Sequence, residues 1–126
     1  MARDALAAAE AVTASDLTLV ECDRALIRGV AMGDVAPAEA VRLRSLLNRA
    51  AAHWHLLRID GEVVERARRP FPGEPLRALD AVHLASAVIA AADVPGLGLL
   101  SFDRRFRRTA RQLGLTLVPP KTAGRA

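Results

Sequence analysis

The sequence predicts an α/β protein with a mostly parallel central sheet flanked by helices. Its 126 residues are 52% hydrophobic, which suits one domain with its own core over residues 1–120. Short apolar segments alternate with longer segments that carry apolar residues at helical spacing. Strands separated by helices in this way pair in parallel. We predict that residues 121–126 form a disordered tail.

The first half of the chain is predicted to contain three helices, the end of a fourth, and two short strands. Gly33 ends one helix, and Pro37 suits the first turn of the next because its fixed φ is helical and the missing N–H is not needed there. Asp60 and Gly61 form a turn, and Pro70 ends a brief helix. The predicted segments are a helix end over Asp4–Ala11, a strand or turn over Val12–Ser15, helices over Leu17–Met32 and Pro37–Ala52, a strand over His55–Ile59 and a helix over Glu62–Arg69.

The second half is predicted to alternate helix and strand. Leu76–Ala92 is apolar on nearly every side, which predicts a helix buried between other elements. Leu97–Phe102 is typical of a buried strand. Arg104–Leu113 is a basic amphipathic segment that ends at Gly114, and Leu115–Val118 is predicted to be the last strand.

Composition favours a cytoplasmic protein. Cys22 is the only cysteine, and the N-terminus shows no apolar segment with a charged front and a cleavage site. The longest apolar run, Leu84–Ala92, is too short to cross a bilayer. We therefore expect no membrane span.

The charge of the chain is compatible with a polyanionic partner. Eighteen basic residues against fourteen acidic ones give a net charge of +4, and Lys121 is the only lysine. Arginine binds phosphate in a bidentate manner, although a GC-rich genome would also explain this content. A solvated helix face is the commoner explanation for one dense cluster, formed by Arg104, Arg105, Arg107, Arg108 and Arg111.

Three acidic residues follow apolar segments at points where helices begin. Asp103 comes directly after the strand predicted over Leu97–Phe102, at the sheet edge where ligands of parallel sheets bind. Asp80 lies in the first turns of the apolar helix, where a charge without a partner would be costly, and Glu21 lies early in its own helix. Carboxylates that meet at such an edge are the ligands preferred by Mg²⁺ and Mn²⁺.

Each acid also has a structural explanation. Thr18 and Glu21 have the spacing of a capping box. Asp80 suits a helix N-cap or an early-turn acid that complements the helix dipole, and Asp103 suits the N-cap of the helix that begins at Arg104.

The other candidate ligands are explained more simply by packing. His83 is expected to be packed or hydrogen-bonded, because hard cations prefer oxygen. His53 and His55 form a weak zinc pattern without a third ligand nearby. Cys22 lacks an activating histidine and is expected to be a buried small hydrophobic residue.

Three segments resemble consecutive blocks of a known family. Ser15–Leu26 is similar to the second characteristic block of PIN-domain ribonucleases, especially the toxins of VapBC-type toxin–antitoxin modules. Leu79–Ala87 resembles the third block and is the most specific match, and Leu100–Phe106 resembles the fourth. The resemblance covers essentially the whole chain.

The resemblance implies a three-layer PIN-like fold and metal-dependent hydrolysis of RNA phosphodiester bonds. Asp80 and Asp103 would hold Mg²⁺ or Mn²⁺, with Glu21 as a direct or water-mediated ligand. Ser101 would orient a carboxylate or a metal-bound water. The implied partners are RNA, a VapB-type antitoxin and a second copy of the chain in a homodimer.

The resemblance fails at the front of the sequence. Family members begin with a strand that ends in the first metal-binding Asp, whereas Met1–Leu6 has a helical pattern, and we do not assign that role to Asp4. We expect the recorded start to lie downstream of the true one; a degraded relative and a strand swapped from a neighbouring copy are the alternatives. A site of three acids predicts weakened metal binding.

Two other functions compete with the ribonuclease. One is a non-catalytic PIN-like remnant that binds an antitoxin or RNA, or dimerises. The other is a DNA-binding regulator, which is disfavoured because no helix-turn-helix pattern stands out and the arginines are spread over several helices.

Overall fold

A computed structural model describes residues 2–120 of the chain; the tail predicted over 121–126 lies outside these residues. Every helix and strand predicted from the sequence is present, with shifts of a few residues at its ends. The elements of the described chain are α1 Ala2–Ala8, β1 Thr13–Ser15, α2 Asp16–Ala31, α3 Pro37–Ala51, β2 His55–Leu57, α4 Gly61–Ala67, α5 Ala78–Asp93, β3 Gly98–Leu100, α6 Arg104–Gln112 and β4 Thr116–Val118.

The chain divides into two compact units. One comprises Glu10–Arg58, and the other comprises Met1–Ala9 together with Ile59–Ala126. Each unit contains one pair of parallel strands in the described residues. The predicted α/β class and parallel pairing are confirmed, with small sheets. The prediction of a single domain over residues 1–120 stays a prediction.

The unit Glu10–Arg58 joins β1, α2, α3 and β2. β1 pairs with β2 so that Thr13 lies opposite His55. Ser15 is the N-cap of α2, and its hydroxyl oxygen accepts a hydrogen bond from the Leu17 N–H at 3.2 Å. As predicted, Pro37 is the first residue of α3. α2 and α3 pack against each other.

The second unit contains the main apolar core. Leu84 and Ala85 of α5 are fully buried, and they pack with residues of α4, α6 and β4. Burial of a leucine side chain contributes about 1.5–3 kcal/mol to stability, and α5 supplies Ala81, Leu84 and Ala85 to this core. The predicted burial of this helix is confirmed, although Leu79 near its start is 51% exposed. β3 pairs with β4 so that Gly98 lies opposite Thr116.

The carboxylate of Glu74 stabilises the loop between α4 and α5. Glu74 accepts hydrogen bonds from the backbone N–H groups of Phe71 at 2.9 Å and Leu76 at 2.8 Å. Gly73 lies in this loop with a φ of +83°, a conformation that glycine adopts without steric cost. A Cβ atom at this position would lie 2.9 Å from Oγ1 of Thr109, so the loop contacts α6 closely.

Among residues 2–120, none of the helices has the length and apolar character that a membrane span requires.

Candidate metal centre

Asp103 is the N-cap of α6, as one of the two explanations of this residue predicted. Its Oδ1 accepts a hydrogen bond from the Phe106 N–H at 2.9 Å, while Oδ2 takes no part in the cap. The Asp103 side chain is exposed. Its backbone N–H donates to the hydroxyl oxygen of Ser101 at 3.2 Å, so Ser101 acts on the main chain that carries this carboxylate.

Arg107 holds the segment that follows β3. It is 2% exposed, and its guanidinium donates hydrogen bonds to three carbonyl oxygens. The acceptors are Ser101 at 2.7 Å, Val118 at 3.4 Å and Pro119. The sequence interpretation of this arginine as part of a solvated face is therefore wrong. The sequence contained one signal for this burial. Arg107 lies three residues before the buried Ala110, which places it at the edge of the apolar stripe of α6.

Asp80 is the third residue of α5, within the first turn. Arg77 occupies the N-cap position, so the prediction of Asp80 as an N-cap is wrong and the early-turn acid is confirmed. Oδ2 of Asp80 lies 3.9 Å from Nε of Arg77. The arginine side chain is 88% exposed and that of Asp80 is 34% exposed, so water screens this ion pair and a cation could displace it.

Glu21 lies inside α2. Because Ser15 is the N-cap, Thr18 and Glu21 do not occupy the two positions of a capping box, and that alternative is wrong. The Glu21 side chain is exposed. Burial, together with the negative charges of Glu21 and Asp23, raises the pKa of the Cys22 thiol above its ordinary value. The Cys22 side chain is half-buried, so the prediction of a buried small hydrophobic residue is wrong in its degree of burial.

Asp80 and Asp103 belong to one unit of the chain and Glu21 to the other. Among the side chains that the structure describes, no three or more His, Cys, Asp or Glu residues form a group that could hold a metal ion. The set of Glu21, Asp80 and Asp103 therefore stays a prediction. Its donor chemistry suits Mg²⁺ or Mn²⁺, because all three residues offer carboxylate oxygens.

The histidines of the chain are distributed over different elements. His55 lies in β2 and His53 just before it, and both side chains are exposed. His83 is half-buried in α5. The zinc alternative gains no support, since the described residues contain no group of three ligands.

An apolar groove runs between α2 and α3. It has a volume of about 420 Å³, and its lining includes Ile27 and Val41, which are 42% and 71% exposed. Arg44 also lines the groove, and its Nε lies 3.3 Å from Oδ1 of Asp23. The groove thus combines an exposed apolar surface with an ion pair that connects the two helices.

Comparison with known proteins places these observations in a family. A sequence model described as PIN domain matches residues 1–112, a range that contains all three predicted acids. Ribonuclease VapC46 of Mycobacterium tuberculosis H37Rv is 42% identical over 72 residues, which cover 57% of this chain and 53% of that protein. Ribonuclease VapC35 of M. tuberculosis CDC 1551 is 32% identical over 107 residues, which cover 80% of this chain and 79% of that protein.

Proposed function

The chain belongs to the PIN-domain family, and from this premise we propose that it is a divalent-metal-dependent endoribonuclease, the VapC-type toxin of a toxin–antitoxin module. The observation that carries the proposal is the family match over residues 1–112, which includes Glu21, Asp80 and Asp103. The similar proteins VapC46 and VapC35 are both named ribonucleases.

Asp80 and Asp103 would hold the cation, with Glu21 as a direct or water-mediated ligand. A bound Mg²⁺ or Mn²⁺ supplies an activated water and stabilises charge on the phosphate. The cap at α6 engages Oδ1 of Asp103 and leaves Oδ2 for the cation. The hydrogen bonds of Ser101 and Arg107 hold the backbone around this carboxylate, which orients it before the metal binds.

The test is cleavage of RNA by the purified protein with Mg²⁺, with Mn²⁺ and with a chelator. We expect cleavage with at least one metal, none with the chelator, and a decrease of about 100-fold or more in Asp80→Asn and Asp103→Asn, on the order of the effect of removing other catalytic groups. Asp60→Asn is the matched control, because Asp60 caps α4 and asparagine preserves that cap.

Unchanged cleavage in both Asp80→Asn and Asp103→Asn would contradict the metal site. Absence of cleavage with every metal, combined with retained binding of RNA or of a protein partner, would favour the non-catalytic module.

We propose further that the protein is cytoplasmic, forms a homodimer and binds a VapB-type antitoxin. The groove between α2 and α3 supports a protein partner, because a mostly apolar, exposed surface is stabilised by being covered. Light scattering of the isolated chain should give twice the monomer mass. A mass equal to the monomer at micromolar concentration would contradict the homodimer.

A further inference from the structure

Four exposed arginines lie on one face of α6. Each residue of a helix advances by about 100°, so the side chains at positions 104, 105, 108 and 111 fall within about 120° of the helix circumference. Arg107 leaves this group because its side chain is buried. We call these four exposed residues the arginine face: Arg104, Arg105, Arg108 and Arg111.

Within residues 2–120, the arginine face has no acidic partner. α6 contains no acidic residue, and among the described residues none of the ion pairs involves these four side chains. Arginines of other helices differ, since Arg42 pairs with Glu39 and Arg68 with Glu65. Like charges at a spacing of four residues, such as Arg104 and Arg108, repel each other. A bound polyanion would offset this repulsion.

The arginine face begins beside the predicted metal ligand. Asp103 caps α6, and Arg104 is the first residue of the helix. Arg104 and Arg111 are separated by about 10 Å along the helix axis, a span over which several guanidinium groups can bind one strand.

We propose that the arginine face of α6 binds the sugar–phosphate backbone of RNA and directs the strand to Asp103. This inference rests on the proposed function, which supplies RNA as the polyanion. Contacts to phosphates position a strand without reading its sequence. The arginine face therefore sets affinity and its salt dependence, while the choice of cleavage site lies elsewhere in the molecule.

The test measures binding of a fluorescent single-stranded RNA of about 20 nucleotides at several salt concentrations, in an Asp80→Asn background that prevents cleavage. The variant Arg108→Gln/Arg111→Gln removes two charges of the arginine face. Removing one arginine that binds a phosphate reduces the slope of log K against log salt by about 0.7, so we expect a reduction of about 1.4 for the double variant. Affinity at low salt should fall by about tenfold or more.

The matched control is Arg28→Gln/Arg49→Gln, which removes the same charge from exposed positions of α2 and α3. A smaller change of slope in this control supports the arginine face. Equal changes in both double variants, no change in Arg108→Gln/Arg111→Gln, or failure of the parent protein to bind RNA would each overturn the inference. Competition by polyglutamate as strong as that by RNA at equal charge would assign the face to an acidic protein and also overturn it.

Failure of this inference is distinguishable from failure of the proposed function. RNA cleavage by the unmodified chain, with binding that is insensitive to the arginine face, would contradict the inference alone. Binding through the arginine face without cleavage under any metal would contradict the nuclease and support the inference.

Discussion

Nη1 of Arg107 donates a hydrogen bond of 2.7 Å to the carbonyl oxygen of Ser101, which joins a buried side chain of α6 to the segment after β3. The same guanidinium bonds the carbonyl oxygens of Val118 and Pro119, at the end of β4. The guanidinium of Arg107 therefore connects the ends of β3 and β4 to α6 through main-chain acceptors alone.

Replacement of this charge should destabilise the protein strongly. Arg107→Met leaves one buried and two partly buried carbonyl oxygens without their donor, and we expect a decrease of about 3 kcal/mol in the free energy of unfolding. Urea denaturation measures this decrease. Arg108→Met, at an exposed position of the same helix, should change stability by less than about 0.5 kcal/mol. Equal effects of the two changes would show that the buried hydrogen bonds contribute little.

Two substitutions of Asp103 separate helix capping from metal binding. Asparagine keeps a side-chain oxygen for the Phe106 N–H, so Asp103→Asn should retain stability and lose cleavage. Asp103→Ala should lose both, with a decrease of about 1 kcal/mol in stability. Thermal unfolding and RNA cleavage are measured on the same samples. Full cleavage activity in Asp103→Asn would mean that this aspartate serves only as a cap.

The thiol of Cys22 should react with iodoacetamide at a higher pH than an ordinary cysteine. Burial, aided by Glu21 and Asp23, raises its pKa, and the thiolate is the reactive form. The midpoint of the rate against pH should lie higher in the folded protein than in urea. Coincident midpoints would contradict the shift.

The raised pKa of Cys22 also determines the direction in which stability changes with pH. A pKa that is higher in the folded state favours folding while the thiol is protonated, and this contribution disappears as pH rises through the folded pKa. Cys22→Ala should therefore reduce the fall in stability at alkaline pH, as measured by urea denaturation across that range. An identical alkaline fall in both proteins would show that another group is responsible.

The contact between α6 and the loop that precedes α5 can be tested at two glycines with positive φ. Gly96→Ala has open space around the new methyl group, so it should lower stability by only about 1 kcal/mol through backbone strain. Gly73→Ala places a methyl group 2.9 Å from Oγ1 of Thr109, which is 1% exposed, and should cost more. Urea denaturation compares the two variants. Equal decreases would indicate that the loop moves away without cost.

The sequence allowed the elements to be located because their signals are local. Pro37 begins α3, and the helix predicted over Leu17–Met32 is observed over Asp16–Ala31. The capping box suggested for Thr18 and Glu21 did not locate the N-cap of α2. Ser15 and Thr18 both have hydroxyl groups suited to an N-cap, and β1, which pairs with β2, ends at Ser15 and fixes the start of α2 there. That pairing joins segments far apart in the sequence and is not visible in the local pattern.

The local positions of Asp80 and Asp103 were predictable from the sequence, whereas the assembly of the acids into one site stays a prediction. The position of Asp103 follows from a strand that ends just before a helix, and the structure places it there. Arg107 was misassigned because a row of arginines suggests a solvated face, whereas its three acceptors come from Ser101, Val118 and Pro119. Carbonyl groups at strand ends leave no mark in a sequence, so only the fold reveals them.

The buried guanidinium of Arg107 also acts as a rotational lock. A helix tied through one inward side chain to the ends of two strands cannot turn about its own axis without breaking those bonds. The arginine face, whose nearest member Arg111 lies about 40° around the helix from Arg107, is thus held in a fixed direction before any ligand arrives. A surface that is already oriented loses little entropy on binding. The hydrogen bonds of Arg107 would therefore strengthen the binding of RNA by the arginine face.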